Sequence, residues 1–201
     1  MLALILFLSL SQGVQANVLD RLLAVVNGEV ITLSDVRAAR QMRLISGAEA
    51  MTDDQLLDAL IERRLTIAEV ARYTAAEPPA ADVDARRKAW EASLPRGATP
   101  AAALAAAGMR DAALTAWFRD DLRLAAYLDQ RFTAAAQPTR QQALAYFQAH
   151  SADFVVNGAI ADFPSVETEV RRRVAAERRA TRIREWVASL KQRAEIRRLG
   201  K

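Results

Sequence analysis

The sequence predicts a mainly α fold: a multi-helix core closed by a small sheet built from an N-terminal hairpin and a C-terminal strand. Three observations carry this. Alanine is abundant and only 7 of the 201 residues are glycine, a balance that favours helix. Between Ser34 and Leu190, apolar residues recur at helical spacing and are punctuated by cap signals. The strand-like exceptions lie at the two ends, in "LLAVVNGEVITL" (22–33) and in "AEIRRL" (194–199). A lone two-stranded hairpin is marginal in water. The last strand is the only other plausible partner, so the two ends of the chain are expected to meet in one sheet.

The elements follow in order. Leu22 to Val26 and Val30 to Leu33 are β-branched-rich runs on either side of Asn27-Gly28. That dipeptide suits a type I′ turn, which needs positive φ at both central residues. Ser34 or Thr32 then caps a helix from about Asp35 to Ser46, ended by Gly47. Thr52 and Gln55 form a capping box for a helix with a broad apolar face, from Leu56 to Val70. Glu77-Pro78-Pro79 stops it. Asp82 opens the next helix through Trp90, and Thr99-Pro100 opens a short one that ends at Gly108. A longer helix is expected from Asp111 to about Phe132. Thr139 and Gln142 make a second capping box for a helix through Phe147. The stretch from His150 to Phe163 reads as irregular and turn-rich, and Ser165 caps the last long helix.

Several chemistries are excluded or weak. There is no cysteine, hence no disulfide framework, thiol nucleophile or cysteine-ligated metal. The single histidine, His150, rules out paired-histidine catalysis or metal binding within one chain. Its position suits a helix C-terminus better than a general base. Asp120 and Asp121 are adjacent, and neighbours on a helix point in different directions. No Gly-rich phosphate loop occurs. No enzyme activity, metal or cofactor is therefore expected. The net charge of +4 is uneven: residues 165–201 hold twelve Lys/Arg against five Asp/Glu. A solvated helix face explains this better than a nucleic-acid or anionic-surface site, because acidic residues are interspersed.

The first sixteen residues, "MLALILFLSLSQGVQA", read as an export signal. The apolar run from Leu2 to Leu10 is too short to span a bilayer, and Val14-Gln15-Ala16 resembles a signal-peptidase site, with cleavage expected after Ala16. No Lys or Arg precedes Arg21, which points to an atypical signal or to a start upstream of Met1. No later segment is apolar enough to span a membrane. An exported chain without cysteine fits a bacterial periplasm.

The order of motifs resembles the SurA-type periplasmic chaperones. "LDRLLAVVNGEVITLSDV" is similar to the apolar hairpin and Ser-Asp helix start that open their mature chains. "DDQLLDALIERRLTIAEVARY" and "AGMRDAALTAWFRDDLRLAAYLDQRF" resemble their next helices. "FPSVETEVRRRVAAERRATRIREWVASLKQRAEIRRL" resembles their C-terminal helix and strand. The family usually carries one or two parvulin-type prolyl isomerase domains of roughly ninety residues before that last segment, and about fifteen residues are too few for an independent core. The resemblance thus implies four parts: a signal peptide at 1–16, a helical chaperone domain at 17–150, a short loop at 151–164 in place of a parvulin domain, and a C-terminal helix and strand at 165–201 that complete the core.

It also implies an ATP-independent periplasmic chaperone without isomerase activity. Its partners would be unfolded or partly folded envelope proteins, outer-membrane proteins among them, and not nucleic acid or a stable membrane span. The loop before the last helix offers a hinge for helix exchange, so a homodimer is a further expected assembly. Met and aromatic side chains suit a surface that accepts varied sequences. Met42, Ile45, Trp90, Trp117, Phe118 and Tyr127 are the candidate peptide-binding residues, with Leu44 and Met51 beside them. Core packing explains each of them equally well. An accessory subunit that holds one dedicated envelope partner is the alternative function.

Overall fold

The computed structural model describes residues 20–73 and 76–199; the expected signal at 1–16 lies outside them. Strands β1 (Leu22–Val26) and β2 (Glu29–Thr32) form the N-terminal hairpin. Seven helices follow among the described residues: α1 (Leu33–Gln41), α2 (Asp53–Ala71), α3 (Ala80–Ala92), α4 (Pro100–Ala106), α5 (Asp111–Phe132), α6 (Arg140–Ala149) and α7 (Phe163–Arg193). Between α6 and α7 lies a second small hairpin, β3 (Val155–Val156) with β4 (Ala159–Ile160). The last strand is β5 (Ile196–Arg198).

The ends of the chain meet as expected. The sheet order is β2-β1-β5, all antiparallel, with Val25 facing Val30 on one side and Arg197 on the other. The hairpin turn has φ 49° at Asn27 and 87° at Gly28, the left-handed conformation that asparagine and glycine adopt most readily. Asn27 also fastens the last strand. Its N–H donates to the Glu195 carbonyl at 2.9 Å, and its Oδ1 accepts from the Glu195 N–H at 3.0 Å.

Three apolar clusters organise the helices. The first lies under the sheet: Val26, Ile31 and Val36 pack on Leu56, Leu60, Ile61 and Leu65 of α2, with Trp186 and Leu190 of α7 closing the far side. Trp186 stands 5.6 Å from Tyr127 and 5.9 Å from Phe132, ring centre to ring centre. The second joins α3, α4 and α5 around Met42, Trp90, Leu114 and Phe118. The third lies at the other end of α7, where Phe154, Phe163, Val170 and Val174 pack with Ala143 of α6. Helix α7 therefore spans two clusters, which explains how a 31-residue helix is held along its length.

Three boundaries differ from expectation. Helix α1 ends at Gln41 rather than near Ser46, because Arg43 takes φ 52°. The Leu44 N–H then bonds the Ala39 carbonyl (2.9 Å) and the Arg43 N–H bonds the Arg40 carbonyl (3.1 Å), a Schellman closure with arginine where glycine is usual. Helix α3 starts at Ala80, with Pro79 at its N-cap and no side-chain cap. Helix α7 starts at Phe163 with Asp162 at the N-cap; Ser165 lies inside its first turn and donates its hydroxyl to the Asp162 carbonyl at 2.8 Å. The segment 151–164, expected as a loop, contains the second hairpin, with Asn157 and Gly158 repeating the positive-φ turn.

Candidate functional site

The Schellman closure sends the chain from Met42 to Thr52 across the face of α2 and leaves Leu44 and Ile45 half-buried there. Two depressions open on either side of Leu44 and Arg63, both of which line each of them. The first is a cavity of about 340 Å³ between α1, α2 and the start of α5. The second, about 290 Å³, lies between α2, α5 and α7 and is walled by Ile45, Leu124, Leu128, Ile183, Trp186 and Val187. Together they make a mostly apolar groove in two lobes.

The first lobe exists because its walls are small. Ala38 and Ala39 face it from α1, and Ala113 and Ala116 from α5, where larger residues would close-pack. Ile31, Leu60, Ile67 and Met109 supply apolar surface, and Trp117 supplies an aromatic wall. A cavity of this size and lining suits one or two apolar side chains of a ligand.

Arg63 forms the ridge between the lobes. It pairs with Asp121, donates to the Trp117 carbonyl at 3.1 Å, and lies 3.5 Å from the centre of the Trp117 ring. Its side chain is only 12% exposed. Burial pushes the Asp121 carboxyl up from its ordinary value despite the attraction of Arg63, and burial likewise lowers the Arg63 guanidinium. The ridge is thus a desolvated ion pair joining α2 to α5 beneath the groove. Asp120, one residue earlier, points to the first lobe instead, as the helical offset requires. The Nε1 atoms of Trp117 and Trp186 are buried and make no hydrogen bond among the described residues.

Of the six candidate binding residues, Trp117 lines the first lobe and Ile45 the second. Met42, Trp90, Phe118 and Tyr127 are all buried and line neither lobe. Met42 is fully enclosed in the second cluster, and its carbonyl accepts the Trp90 indole N–H at 2.9 Å. Phe118 packs beside Trp90, and Tyr127 lies between Tyr73 and Trp186 with its ring tilted against both. Large apolar side chains are the first to be recruited to a core. Leu44 lines both lobes, whereas Met51 packs against the first cluster. His150 caps α6 at its C-terminus, Nδ1 2.9 Å from the Tyr146 carbonyl.

No family model and no curated protein matches the chain. Among the solved structures that match, one chain superimposes with a TM-score of 0.59 at 13% identity, over 90% of this chain and 100% of its own length. It comes from a study of two structurally related SurA-like chaperones of the human pathogen Campylobacter jejuni, the virulence factor PEB4 and the periplasmic protein Cj1289. The fold is SurA-like. No helix among the described residues is long and apolar enough to cross a membrane.

Proposed function

We propose that this chain is an ATP-independent periplasmic chaperone that holds extended apolar segments of envelope and outer-membrane proteins in the two-lobed groove, without isomerase activity. The observation that carries the reading is the groove itself. In a SurA-like fold, it offers apolar volume on both sides of the Leu44–Arg63 ridge and room for varied side chains. Residues 155–160, where a parvulin-type domain would stand, form only a six-residue hairpin. Export through residues 1–16 would bring the chain to the compartment through which such clients pass.

The test is aggregation of an unfolded outer-membrane porin, without ATP, in the presence of the chain from Asn17 onward. Suppression at near-stoichiometric amounts is expected. Ala116→Trp, which puts an indole into the first lobe from an exposed position on α5, is expected to weaken it while leaving the helical content intact. A folded protein that leaves porin aggregation unchanged would refute the general chaperone and direct attention to one dedicated partner, sought by co-purification from the envelope.

A further inference from the structure

The charges around the first lobe do not balance. Four charged residues line it: Asp35 on α1, Arg63 and Arg64 on α2, and Asp120 on α5. Both cations are already engaged from outside the lobe. Arg63 pairs with Asp121, and Arg64 pairs with Glu29 at 2.6 Å. Asp35 and Asp120 form no ion pair among the described residues, although Asp120 lies near enough to Arg63 to favour its charged form. Asp35 Oδ2 accepts the Thr32 N–H at 2.8 Å and the Thr32 hydroxyl at 3.1 Å in the α1 capping box, which leaves Oδ1 with acceptor capacity on a residue that lines the lobe. With Glu29 and Asp121 included, the rim carries two carboxylates in excess, one on each of two walls, above an apolar floor. The second lobe has no such excess: Arg63 pairs with Asp121 there, and Glu62 with Lys191 at 2.6 Å.

We infer that the first lobe selects an extended polypeptide segment in which an apolar side chain is flanked within one or two residues by lysine or arginine. The apolar side chain fills the space left by Ala38, Ala39, Ala113 and Ala116, and the cation is held by Asp35 or Asp120 at the rim. This rests on the groove being the client site and adds a sequence preference to it. The local charge acts against the global one: a chain of net charge +4 attracts acidic segments at long range. The sign of the preference therefore reports whether the rim or the whole molecule governs recognition.

The experiment uses three labelled peptides with the same apolar core, flanked by lysine, serine or glutamate, and fluorescence anisotropy with the chain from Asn17 onward. At low salt (about 0.02 M) the lysine-flanked peptide is expected to bind about tenfold more tightly than the glutamate-flanked one, the order of magnitude for two partly exposed charge pairs. At about 0.5 M salt the ratio is expected to shrink to about twofold, as screening predicts. Asp35→Asn combined with Asp120→Asn is expected to bring the ratio close to one; the amide oxygen introduced by Asp35→Asn can still accept the Thr32 N–H. Asp120→Asn alone gives an intermediate ratio without touching the α1 cap. Equal binding of the three peptides, a preference for glutamate, or a lysine preference that survives the double substitution would overturn the inference. Failure of all three peptides to bind would instead overturn the client-groove reading on which it rests.

Discussion

Asn27 is the most informative single residue for how the ends of this chain are held. It sits at φ 49° and clamps Glu195 by two hydrogen bonds, one of them through its side chain. Asn27→Ala removes the side-chain acceptor, worth about 1 kcal/mol for a partly exposed bond, and puts a Cβ without a local polar partner in the left-handed region, worth about a further 1 kcal/mol. The sum is about 2 kcal/mol. Two comparisons separate its parts. Asn27→Gly keeps the conformation and loses only the acceptor, so about half that loss is expected. Asn27→Asp keeps the acceptor and tolerates the conformation, so it should stay within about 0.5 kcal/mol of the parent. Urea unfolding is the assay. With a slope of about 2 kcal/mol/M, Asn27→Ala should lower the midpoint by about 1 M and leave the slope unchanged. Hydrogen exchange at Glu195 should accelerate in parallel, since its N–H loses its acceptor. The reasoning is refuted if Asn27→Ala matches the parent, or if Asn27→Gly is as damaging as Asn27→Ala.

Two further outcomes follow from the charged groups. The double substitution Arg63→Met with Asp121→Leu is expected to leave stability within about 1 kcal/mol of the parent or to raise it, because the burial that raises the Asp121 pKa also makes its ionised form costly; a loss above about 2 kcal/mol in urea would show that the ridge is a net stabiliser. In the parent, the native state holds a proton that the unfolded chain has lost only between pH 3.8 and the raised native value; above that window the pair is ionised. Stability from this site is therefore greatest below pH 3.8 and falls as the pH rises through the native value. Glu169 acts in the opposite sense: hydrogen bonds from Arg172 and Arg173 hold its carboxyl down to about 2, so its contribution is complete above pH 4.5 and is lost as the pH falls towards 2. Stability of Glu169→Gln measured against pH should lack that acid-side loss, and an unchanged acid limb would count against the assignment.

Much of the fold was legible because its signals are local. The capping boxes at Thr52/Gln55 and Thr139/Gln142 appear with both reciprocal bonds, and the Asn27-Gly28 turn joins β1 to β2 with positive φ at both residues. The pairing of β1 with β5 was legible by elimination, since a hairpin needs a third strand and only one other segment had strand character. The end of α1 was not, because its left-handed residue is Arg43 and Gly47 offered the more usual stop. The groove was partly legible. Trp117 and Ile45 reach it, but hydrophobicity alone does not separate a groove from a core, and Met42, Trp90, Phe118 and Tyr127 went to the core. The decisive wall residues are alanines, which carry no signal of function until the helices that bear them are placed side by side.

The clamp between Asn27 and Glu195 joins residues 168 apart, and this has a consequence for the order in which the molecule is made. The first strands emerge with nothing to complete their sheet, and the strand that completes it follows only after the intervening helices. Closing so long a loop costs roughly 2 kcal/mol more than closing one of twenty residues, and pairings of such separation form slowly. Until they form, the edge of β1 that β5 covers stands open to water and to other chains. The sheet is therefore complete, and its inner edge covered, only once β5 has paired with β1.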